Sequence, residues 1–345
     1  MRVLIAGSQK ISWGAPGWAR GLRDLGLEVI EWDWASFYSP GFLGRCEQRL
    51  AIGPGVLRAN NELIQAVNRY KPDITLLYAT WPIFPVTVKK ISNTCWVSGY
   101  HNDNPFGDFG KKAYFRHWRK AIPYFHSHHV FRQRNVKDYN DIGAKRVSVL
   151  LPFYTPWLDK PISLSTDEKR SYQNEIVFVG HAENDHRIEY LKKMIRDGLP
   201  ITIYGAVKYW EKYLPLEYRR KIPPIKPVYG IEYRKVIASS KICLSFFSRS
   251  NADDCTFRVF EIPAVGGLLF AERTQMMQEL YTEGLEAEFF SSPEELFEKC
   301  VNYLKDDLAR SDISKNGMFR CLNSKYDINS RMNQWLGDIN NWMFE

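Results

Sequence analysis

Short apolar runs alternate along the chain with longer stretches in which apolar residues recur every three or four positions. Runs of about four to eight apolar residues predict buried parallel strands, and the three-to-four spacing predicts helices that bury one face. The predicted strands are 3–6, 28–32, 74–78, 95–100, 129–131, 147–150, 176–179, 201–204, 242–246, 268–270 and 288–290. Helices are predicted at 18–25, 56–69, 111–125, 136–142, 187–196, 209–213, 233–238, 256–264, 276–281, 293–305 and 308–323.

This alternation of strands and helices with short connections predicts an α/β protein with parallel sheets. Residues 153–174 interrupt it, because they are rich in Pro, Ser, Thr and charged residues and lack a sustained period. We interpret them as a linker between two doubly wound, Rossmann-like domains, 1–152 and 175–326. The remaining residues, 327–345, carry an apolar stripe that includes Trp335 and Ile339 and predict a final helix.

The net charge of +8 is spread over short basic pieces, such as 116–120 and 219–221. This dispersal argues against a nucleic-acid-binding protein. It is typical either of a solvated surface with excess lysine or of attraction to an anionic substrate or a phospholipid surface. No apolar run approaches the roughly 20 residues of a membrane span, and residues 1–7 predict a first strand instead of a signal peptide. We therefore expect a cytoplasmic protein that could contact the inner face of an anionic membrane.

A polar segment, 251–267, follows the apolar run 242–247 and leads into a predicted helix. A strand, a loop and a helix start in this order place ligands at the carboxyl edge of an open α/β sheet, and a helix N-terminus suits a phosphate. Arg258 could add a forked contact to a diphosphate, and Glu261 could accept hydrogen bonds from two ribose hydroxyls. The alternative is structural: Asp253 or Asp254 caps the helix, and Arg258 pairs with Glu261 on its surface.

The same segment resembles the signature N-x-D-x-x-T-x-R-x-F-E-I-P-A-x-G of glycosyltransferases related to the spore maturation protein CgeB. The matched positions are Asn251, Asp253, Thr256, Arg258, Phe260, Glu261, Ile262, Pro263, Ala264 and Gly266. The similarity continues at 272–274, 280–284, 290–296 and 317–320. It implies the GT-B architecture, in which two Rossmann-like domains face each other across a cleft and the last helix crosses back to the first domain.

The resemblance also implies roles for the residues of this segment. The spacing Asp253-x7-Glu261 is similar to the E-x7-E element of retaining glycosyltransferases, in which the second carboxylate binds the ribose and the first lies near the donor sugar. Asn251, Thr256 and Arg258 complete the donor site that the resemblance implies, with Arg258 also a catalytic candidate.

The loop after the strand at 176–179 is a second part of the implied donor site. Gly180 allows the backbone to approach a phosphate closely. Many retaining GT-B enzymes then carry an Arg and a Lys that neutralise the diphosphate, whereas this chain has His181 and, later, Arg187. A protonated His181 could assist, and Arg187 could equally have a surface role.

Two further groups of candidates lie in the first domain. His101 and Asp103 follow the strand at 95–100 and are candidates for acid–base catalysis or sugar contacts, although Asn-Asp-Asn-Pro is also an ordinary turn. The position of His101 resembles the strand-end histidine of many retaining GT-B enzymes. Acceptor-side candidates are Gly7, Trp13, Arg132 and Arg134.

We therefore expect an enzyme that moves a sugar, with retention, from a nucleotide-diphosphate donor, a UDP-sugar being favoured. The acceptor would be a glycan, a lipid-linked glycan or a protein. No cofactor is expected, and no metal, because the histidines lack an ordered ligand spacing. Two alternatives stay open: a sugar-nucleotide epimerase of the same fold, and a sugar-nucleotide-binding module without catalysis.

Overall fold

The apolar runs of the first half form a six-stranded parallel sheet in the computed structural model, which describes residues 1–9, 14–108, 113 and 115–345. The strands are β1 (Arg2–Ala6), β2 (Glu28–Trp32), β3 (Ile74–Tyr78), β4 (Trp96–His101), β5 (Ser127–Val130) and β6 (Val147–Val149). They lie in the order β2-β1-β3-β4-β5-β6. All five positions of β3 are buried, as expected for a strand with helices on both faces of its sheet.

The helices between these strands are α1 (Ala15–Asp24), α2 (Gly41–Leu50), α3 (Pro54–Tyr70), α4 (Pro85–Ile91), α5 (Phe115–Ala121) and α6 (Gln133–Asp141). Short 3-10 helices span Trp34–Phe37 and Ile122–Tyr124. The start of the helix predicted at 111–125 includes residues outside the described ranges. The sequence pattern did not predict α2, because apolar residues of this helix are exposed and no apolar face marks it.

The second half forms a five-stranded parallel sheet. Its strands are β7 (Asn174–Val179), β8 (Ile201–Tyr204), β9 (Ser240–Ser245), β10 (Leu269–Glu272) and β11 (Glu288–Phe290), in the order β11-β10-β9-β7-β8. The predicted strands are thereby confirmed, with ends that shift by at most two residues. Buried runs predict strands well because both faces of a parallel sheet are covered.

The helices of this half are α7 (Thr166–Tyr172), α8 (Arg187–Arg196), α9 (Val207–Tyr213), α10 (Leu216–Arg219), α11 (Gly230–Ala238), α12 (Arg258–Val265), α13 (Gln275–Leu280), α14 (Pro293–Lys305) and α15 (Asp307–Asn323). Gly266 ends α12 in the left-handed conformation, with φ of 93°. Among the described residues, no helix is both long and apolar enough to span a membrane.

The structure divides into two compact units, one made of Met1–Leu151 with Ile328–Glu345 and the other of Pro152–Asp327. The segment that we interpreted as a linker belongs with the second unit. Its residues Thr155 and Asp159 are each only 1% exposed, and Ser165 with Glu168 forms a capping box that opens α7. Polar contacts hold this segment in place, so it shows no apolar period.

The final helix, α16 (Ile328–Phe344), belongs to the first unit and packs on α1. A Cβ atom at Gly21 of α1 would lie 3.0 Å from Cγ of Met332, so the two helices approach closely. Trp335 is fully buried and donates from Nε1 to Oγ of Ser98 at 3.3 Å. The expectation that the last helix returns to the first domain is confirmed.

Candidate functional site

The second sheet changes its winding direction between β7 and β9, because β7 pairs with β8 on one side and with β9 on the other. In open α/β sheets, ligands bind at the carboxyl ends of the strands at such a switch point. Helix α12 begins shortly after β9 at Arg258, and Nε of Arg258 donates to the carbonyl oxygen of Val179 at the end of β7, at 3.3 Å. Arg258 therefore bridges the two strands at the switch point.

Arg258, Glu261 and Tyr233 form a cluster there. The guanidinium carbon of Arg258 lies 4.2 Å from the ring centroid of Tyr233. Oε2 of Glu261 accepts hydrogen bonds from the Tyr233 hydroxyl, at 3.1 Å, and from Nη1 of Arg258. Burial alone lowers the pKa of Arg258, but neighbouring Tyr233 and Glu261 reverse this and raise the pKa above its ordinary value. The guanidinium of Arg258 therefore stays positively charged, with the carboxylate of Glu261 beside it.

The structural alternative for these residues fits poorly. Glu261 is only 5% exposed, so Arg258 and Glu261 are not an ordinary pair on a solvated helix face. The side chain of Arg258 is 35% exposed, which leaves part of the guanidinium accessible. The N-cap residue of helix α12 is Phe257, so neither Asp253 nor Asp254 occupies the N-cap position.

The loop between β9 and α12 folds back on itself in a turn. Ala252 is left-handed, the N–H of Asp253 donates to the carbonyl of Ser248 at 2.9 Å, and the N–H of Asn251 donates to Oγ of Ser248 at 3.3 Å. Thr256 is half-buried, with Oγ1 3.5 Å from Oγ of Ser245. The turn brings Asn251, Asp253 and Thr256 to the carboxyl edge of the sheet together with Arg258.

Gly180 and His181 follow β7 at the same edge. The N–H of Gly180 donates to the carbonyl of Tyr204, and a Cβ at Gly180 would lie 2.7 Å from the ring of Phe178. Packing inside the unit is thus one reason for the glycine. The pKa of His181 is lowered, first by partial burial and then by the nearby charge of Arg258. The expected protonated His181 is therefore not supported at neutral pH.

Arg187 lies in the first turn of α8 and is only 4% exposed. Its Nε and Nη2 donate to the two carboxylate oxygens of Asp185, at 2.8 and 2.9 Å, and Nη1 donates to the carbonyl of His181. The alternative that Arg187 has only a surface role is therefore wrong. Its guanidinium holds the loop after β7 in place, and Arg258 is the more accessible of these two arginines.

Two carboxylates that sequence reasoning missed lie at this edge. Oε1 of Glu272 accepts from Nε2 of His186 at 2.6 Å and from the N–H of Phe247 at 2.9 Å. Oε2 of Glu183 accepts from Oγ of Ser248 at 2.6 Å. Glu272 falls within the stretch 272–274 that shares the family resemblance, so a signal for it existed. Tyr233 and Glu183 had none.

The carboxyl edge of the first sheet carries a cavity of about 330 Å³, which we call the first-sheet cavity. Its lining residues include Ser8, Trp34, Gln48, Tyr78, Trp81 and Asp103. Nε1 of Trp34 and the hydroxyl of Tyr78 are buried and have no hydrogen-bond partner within the described part of the chain. Aromatic walls with unused donors suit a polar ligand that also has an apolar face, such as a sugar ring.

His101 ends β4 in a mainly aromatic environment that includes Trp81, Phe115 and Trp118. Burial, and then repulsion from Arg132, lower the pKa of His101 to about 3. Nδ1 accepts from the N–H of Asp103 at 3.1 Å, so the proton of the neutral ring is on Nε2. His101 is therefore suited to donate a neutral hydrogen bond and not to act as a charged acid at neutral pH.

This neutrality predicts sensitivity to acid. The pKa of His128 is likewise about 3 because the ring is buried, whereas an unfolded histidine has a pKa near 6.5. Between about pH 3 and pH 6.5 the unfolded chain binds more protons than the folded chain. The stability that depends on these neutral rings is therefore fully present above about pH 6.5 and is lost as the pH drops. At pH 5, each of the two histidines should lower the free energy of unfolding by about 2 kcal/mol relative to its value at pH 8. Thermal unfolding of His101→Gln and His128→Gln between pH 8 and pH 5 measures this.

The comparison at pH 8 gives the cost of each substitution itself. We expect each variant to lose less stability than the wild type as the pH falls, by about 2 kcal/mol at pH 5. If the difference in stability between the wild type and a variant does not change with pH, the ring at that position is not held neutral in the folded state.

The structure places the acceptor-side candidates differently from our expectation. Gly7 is needed for packing, because a Cβ there would lie 2.4 Å from Cβ of Ala15. Arg132 is 1% exposed and donates from Nη2 to the carbonyl of Asn102, so it braces the loop after β4 instead of lining an open groove. Arg134 is exposed at the start of α6, and Trp13 lies outside the described residues.

Comparisons with known proteins agree with this geometry. Residues 186–337, which include the switch-point cluster, match the model of a glycosyl transferase-like family. Sucrose-phosphate synthase from Thermosynechococcus elongatus is similar in structure, with a TM-score of 0.70 at 10% identity over 100% of this chain and 99% of that one. HepE from Anabaena, in complex with UDP and glucose, gives 0.68 at 12% identity over 99% and 100%.

The chain has the GT-B fold. A glycosyltransferase from Rickettsia africae also shares it, with a TM-score of 0.65 at 12% identity over 99% of this chain and 98% of that one. A search of curated proteins found no match. The GT-B fold places the switch-point cluster in the second Rossmann-like unit and the first-sheet cavity in the first. Within the described ranges, no group of three His, Cys, Asp or Glu is arranged to hold a metal ion.

Proposed function

We propose that this protein is a glycosyltransferase that uses a nucleoside-diphosphate sugar, with a UDP-sugar favoured. The observation that carries the proposal is the position of Arg258, a permanent and partly exposed cation at the switch point between β7 and β9. The glycosyl transferase-like match over 186–337 and the likeness to HepE, whose structure contains UDP, support it.

In this proposal, Arg258 contacts the diphosphate and stabilises the charge that develops on the leaving nucleotide. Glu261 already uses Oε2 for Tyr233 and Arg258, so Oε1 is the atom to accept from the ribose hydroxyls. Asn251, Asp253 and Thr256 lie in the adjacent loop, on the side expected for the donor sugar. The spacing Asp253-x7-Glu261, which is similar to the E-x7-E element of retaining glycosyltransferases, supports transfer with retention. The GT-B fold supports transfer without a metal.

The acceptor would bind at the first-sheet cavity. Trp34 and Trp81 offer apolar walls for a sugar ring, and the buried Tyr78 hydroxyl offers a hydrogen bond. His101 ends the neighbouring strand β4 with Nε2 buried, and Asp103, two residues later, lines the cavity and could accept from a sugar hydroxyl. The cavity suits a glycan better than an unglycosylated protein segment.

A thermal-shift experiment tests the donor site. At about 100 times its dissociation constant, the correct nucleotide should stabilise the wild type by about 2.7 kcal/mol. Glu261→Gln keeps the shape of the side chain but loses its charge, and hydrogen bonds to charged groups contribute about 1.5–3 kcal/mol. We therefore expect 10- to 100-fold weaker binding of UDP by this variant. UDP, GDP, dTDP and CMP are compared in parallel.

The exposed Glu279→Gln in α13 is the matched control and should bind UDP like the wild type. If no nucleotide stabilises the wild type, the donor-site proposal is wrong. If UDP binds but a UDP-sugar is converted to another UDP-sugar without an acceptor, the protein is an epimerase. If UDP binds and neither transfer, hydrolysis nor conversion occurs, it is a binding module.

A further inference from the structure

One surface of the first unit combines exposed apolar side chains with positive charge. It is formed by residues 41–58, which comprise α2 and the start of α3, and we call it the α2 surface. Phe42 and Leu43 are each 71% exposed. Other exposed apolar side chains in this range are Leu50, Ile52 and Leu57. Exposed apolar residues are normally scattered, so five within sixteen positions indicate an interaction site.

All the exposed charges of the α2 surface are positive: they are Arg45, Arg49 and Arg58. Glu47 is the sole acidic residue between positions 41 and 58. Its Oε1 accepts from the N–H of Gly55 at 2.9 Å, which turns the carboxylate towards the protein. The surface therefore presents arginines and apolar side chains to the solvent, with no exposed negative charge among them.

The packing of α2 forces this orientation. Gly44 faces the preceding segment so closely that a Cβ would lie 1.7 Å from the carbonyl oxygen of Ser39. Phe42, Arg45 and Arg49 then follow each other on the opposite, outward face at spacings of three and four residues. A rotation that buried Phe42 would remove Gly44 from its contact. The exposure of the apolar residues is thus part of the fold.

We propose that the α2 surface docks on an anionic phospholipid bilayer. A helix with Phe and Leu beside Arg lies at the membrane interface, with apolar side chains among the acyl chains and arginines at the lipid phosphates. The excess of positive charge on the whole chain, +8, favours the same partner. The docking does not depend on any enzymatic activity.

The α2 surface also adjoins the first-sheet cavity. Phe42, Arg45 and Arg49 line a second cavity, of about 530 Å³, and the two cavities share Gln48, Trp81 and Asp103. An acceptor in the first-sheet cavity would therefore continue past two arginines towards the bilayer. This inference about the acceptor rests on the proposed function, and it assigns the acceptor as a glycolipid with an anionic linkage.

Co-sedimentation of the full chain with vesicles tests the docking. One set of vesicles contains phosphatidylglycerol and phosphatidylcholine in equal parts, and the other contains phosphatidylcholine alone. We expect binding to the first set and little to the second. Each arginine near an anionic surface strengthens binding about five-fold, so Arg45→Gln with Arg49→Gln should bind about 25-fold more weakly. Phe42→Ser with Leu43→Ser should also lose binding, since it removes the inserted side chains.

The control is Arg220→Gln with Lys221→Gln, which removes two exposed cations from the second unit and should bind like the wild type. No binding to anionic vesicles, equal binding to neutral ones, or an equal loss in the control would overturn the proposal. Stabilisation by UDP is measured on the same samples. UDP binding without vesicle binding removes only the docking, and vesicle binding without UDP binding removes only the transferase.

Discussion

Arg258→Ala should slow sugar transfer by about 10²- to 10³-fold, the usual effect of removing one preorganised group that stabilises developing charge. Arg258 is expected to contact the leaving diphosphate, which gains negative charge as the bond to the sugar breaks. Its guanidinium is held by Tyr233, Glu261 and the Val179 carbonyl before any ligand binds. Little reorganisation is then needed during the reaction.

Release of UDP from the UDP-sugar measures this effect. Until the acceptor is known, slow hydrolysis of the donor serves as the reaction. Arg258→Lys keeps the charge but loses the planar fork, so we expect a smaller loss than for alanine. The exposed Arg220→Ala should change the rate less than about two-fold, because surface substitutions away from a site have small effects. Turnover of Arg258→Ala at the wild-type rate would exclude Arg258 from catalysis.

Glu261 complicates the interpretation of Arg258→Ala, since it would lose one of its two partners inside the protein. The unfolding temperature of each variant must therefore be measured beside its rate. A variant that stays folded at the assay temperature and still loses turnover has lost a catalytic contact. Tyr233 remains to hold Glu261, through a hydrogen bond of 3.1 Å.

Asp159→Asn should destabilise the second unit by about 3–5 kcal/mol, the cost of leaving one partner of a buried ion pair alone. Asp159 is 1% exposed, and Oδ1 lies 2.6 Å from Nη2 of Arg234. Oδ2 accepts from the N–H and the hydroxyl of Thr155. Burial and neighbouring Glu261 raise the pKa of Asp159, and Arg234 and Thr155 oppose that rise.

Chemical denaturation with urea measures the change in the free energy of unfolding. The double variant Asp159→Leu with Arg234→Met should cost less than Asp159→Asn, because no charge is then left buried without a partner. The exposed Asp312→Asn in α15 is the control and should change stability by less than about 0.5 kcal/mol. If Asp159→Asn is as stable as the control, the ion pair does not hold the segment before α7 in place.

Arg234 follows Tyr233 on α11, so this ion pair also bears on the switch-point cluster. It joins the segment at 155–159 to the helix that carries the aromatic ring under Arg258. Loss of the pair should therefore weaken UDP binding as well as stability. The segment at 155–159, which shows no sequence periodicity, would in this way support the binding of the donor at Arg258.

The sequence alone determined the two parallel sheets and the place of Arg258 and Glu261 on the helix after β9. The fully buried strand β3 is an almost continuous apolar run, and β9 contains such a run at 242–244, because both faces of a parallel sheet are covered. The spacing of Arg258 and Glu261 placed them on one helix face after a strand, since helical neighbours are three or four residues apart. These are local properties of the chain.

The tertiary structure alone decided which distant residues complete the sites. Tyr233 lies 28 positions before Glu261 and Asp159 lies 75 before Arg234, and no local period joins residues so far apart. The same holds for the environment that keeps His101 neutral and for the burial of Arg132. The outward face of α2 depends on a contact between Gly44 and Ser39. The protonation state, burial and exposure of these side chains depend on how distant segments pack against each other. The order of residues within one segment does not carry this information.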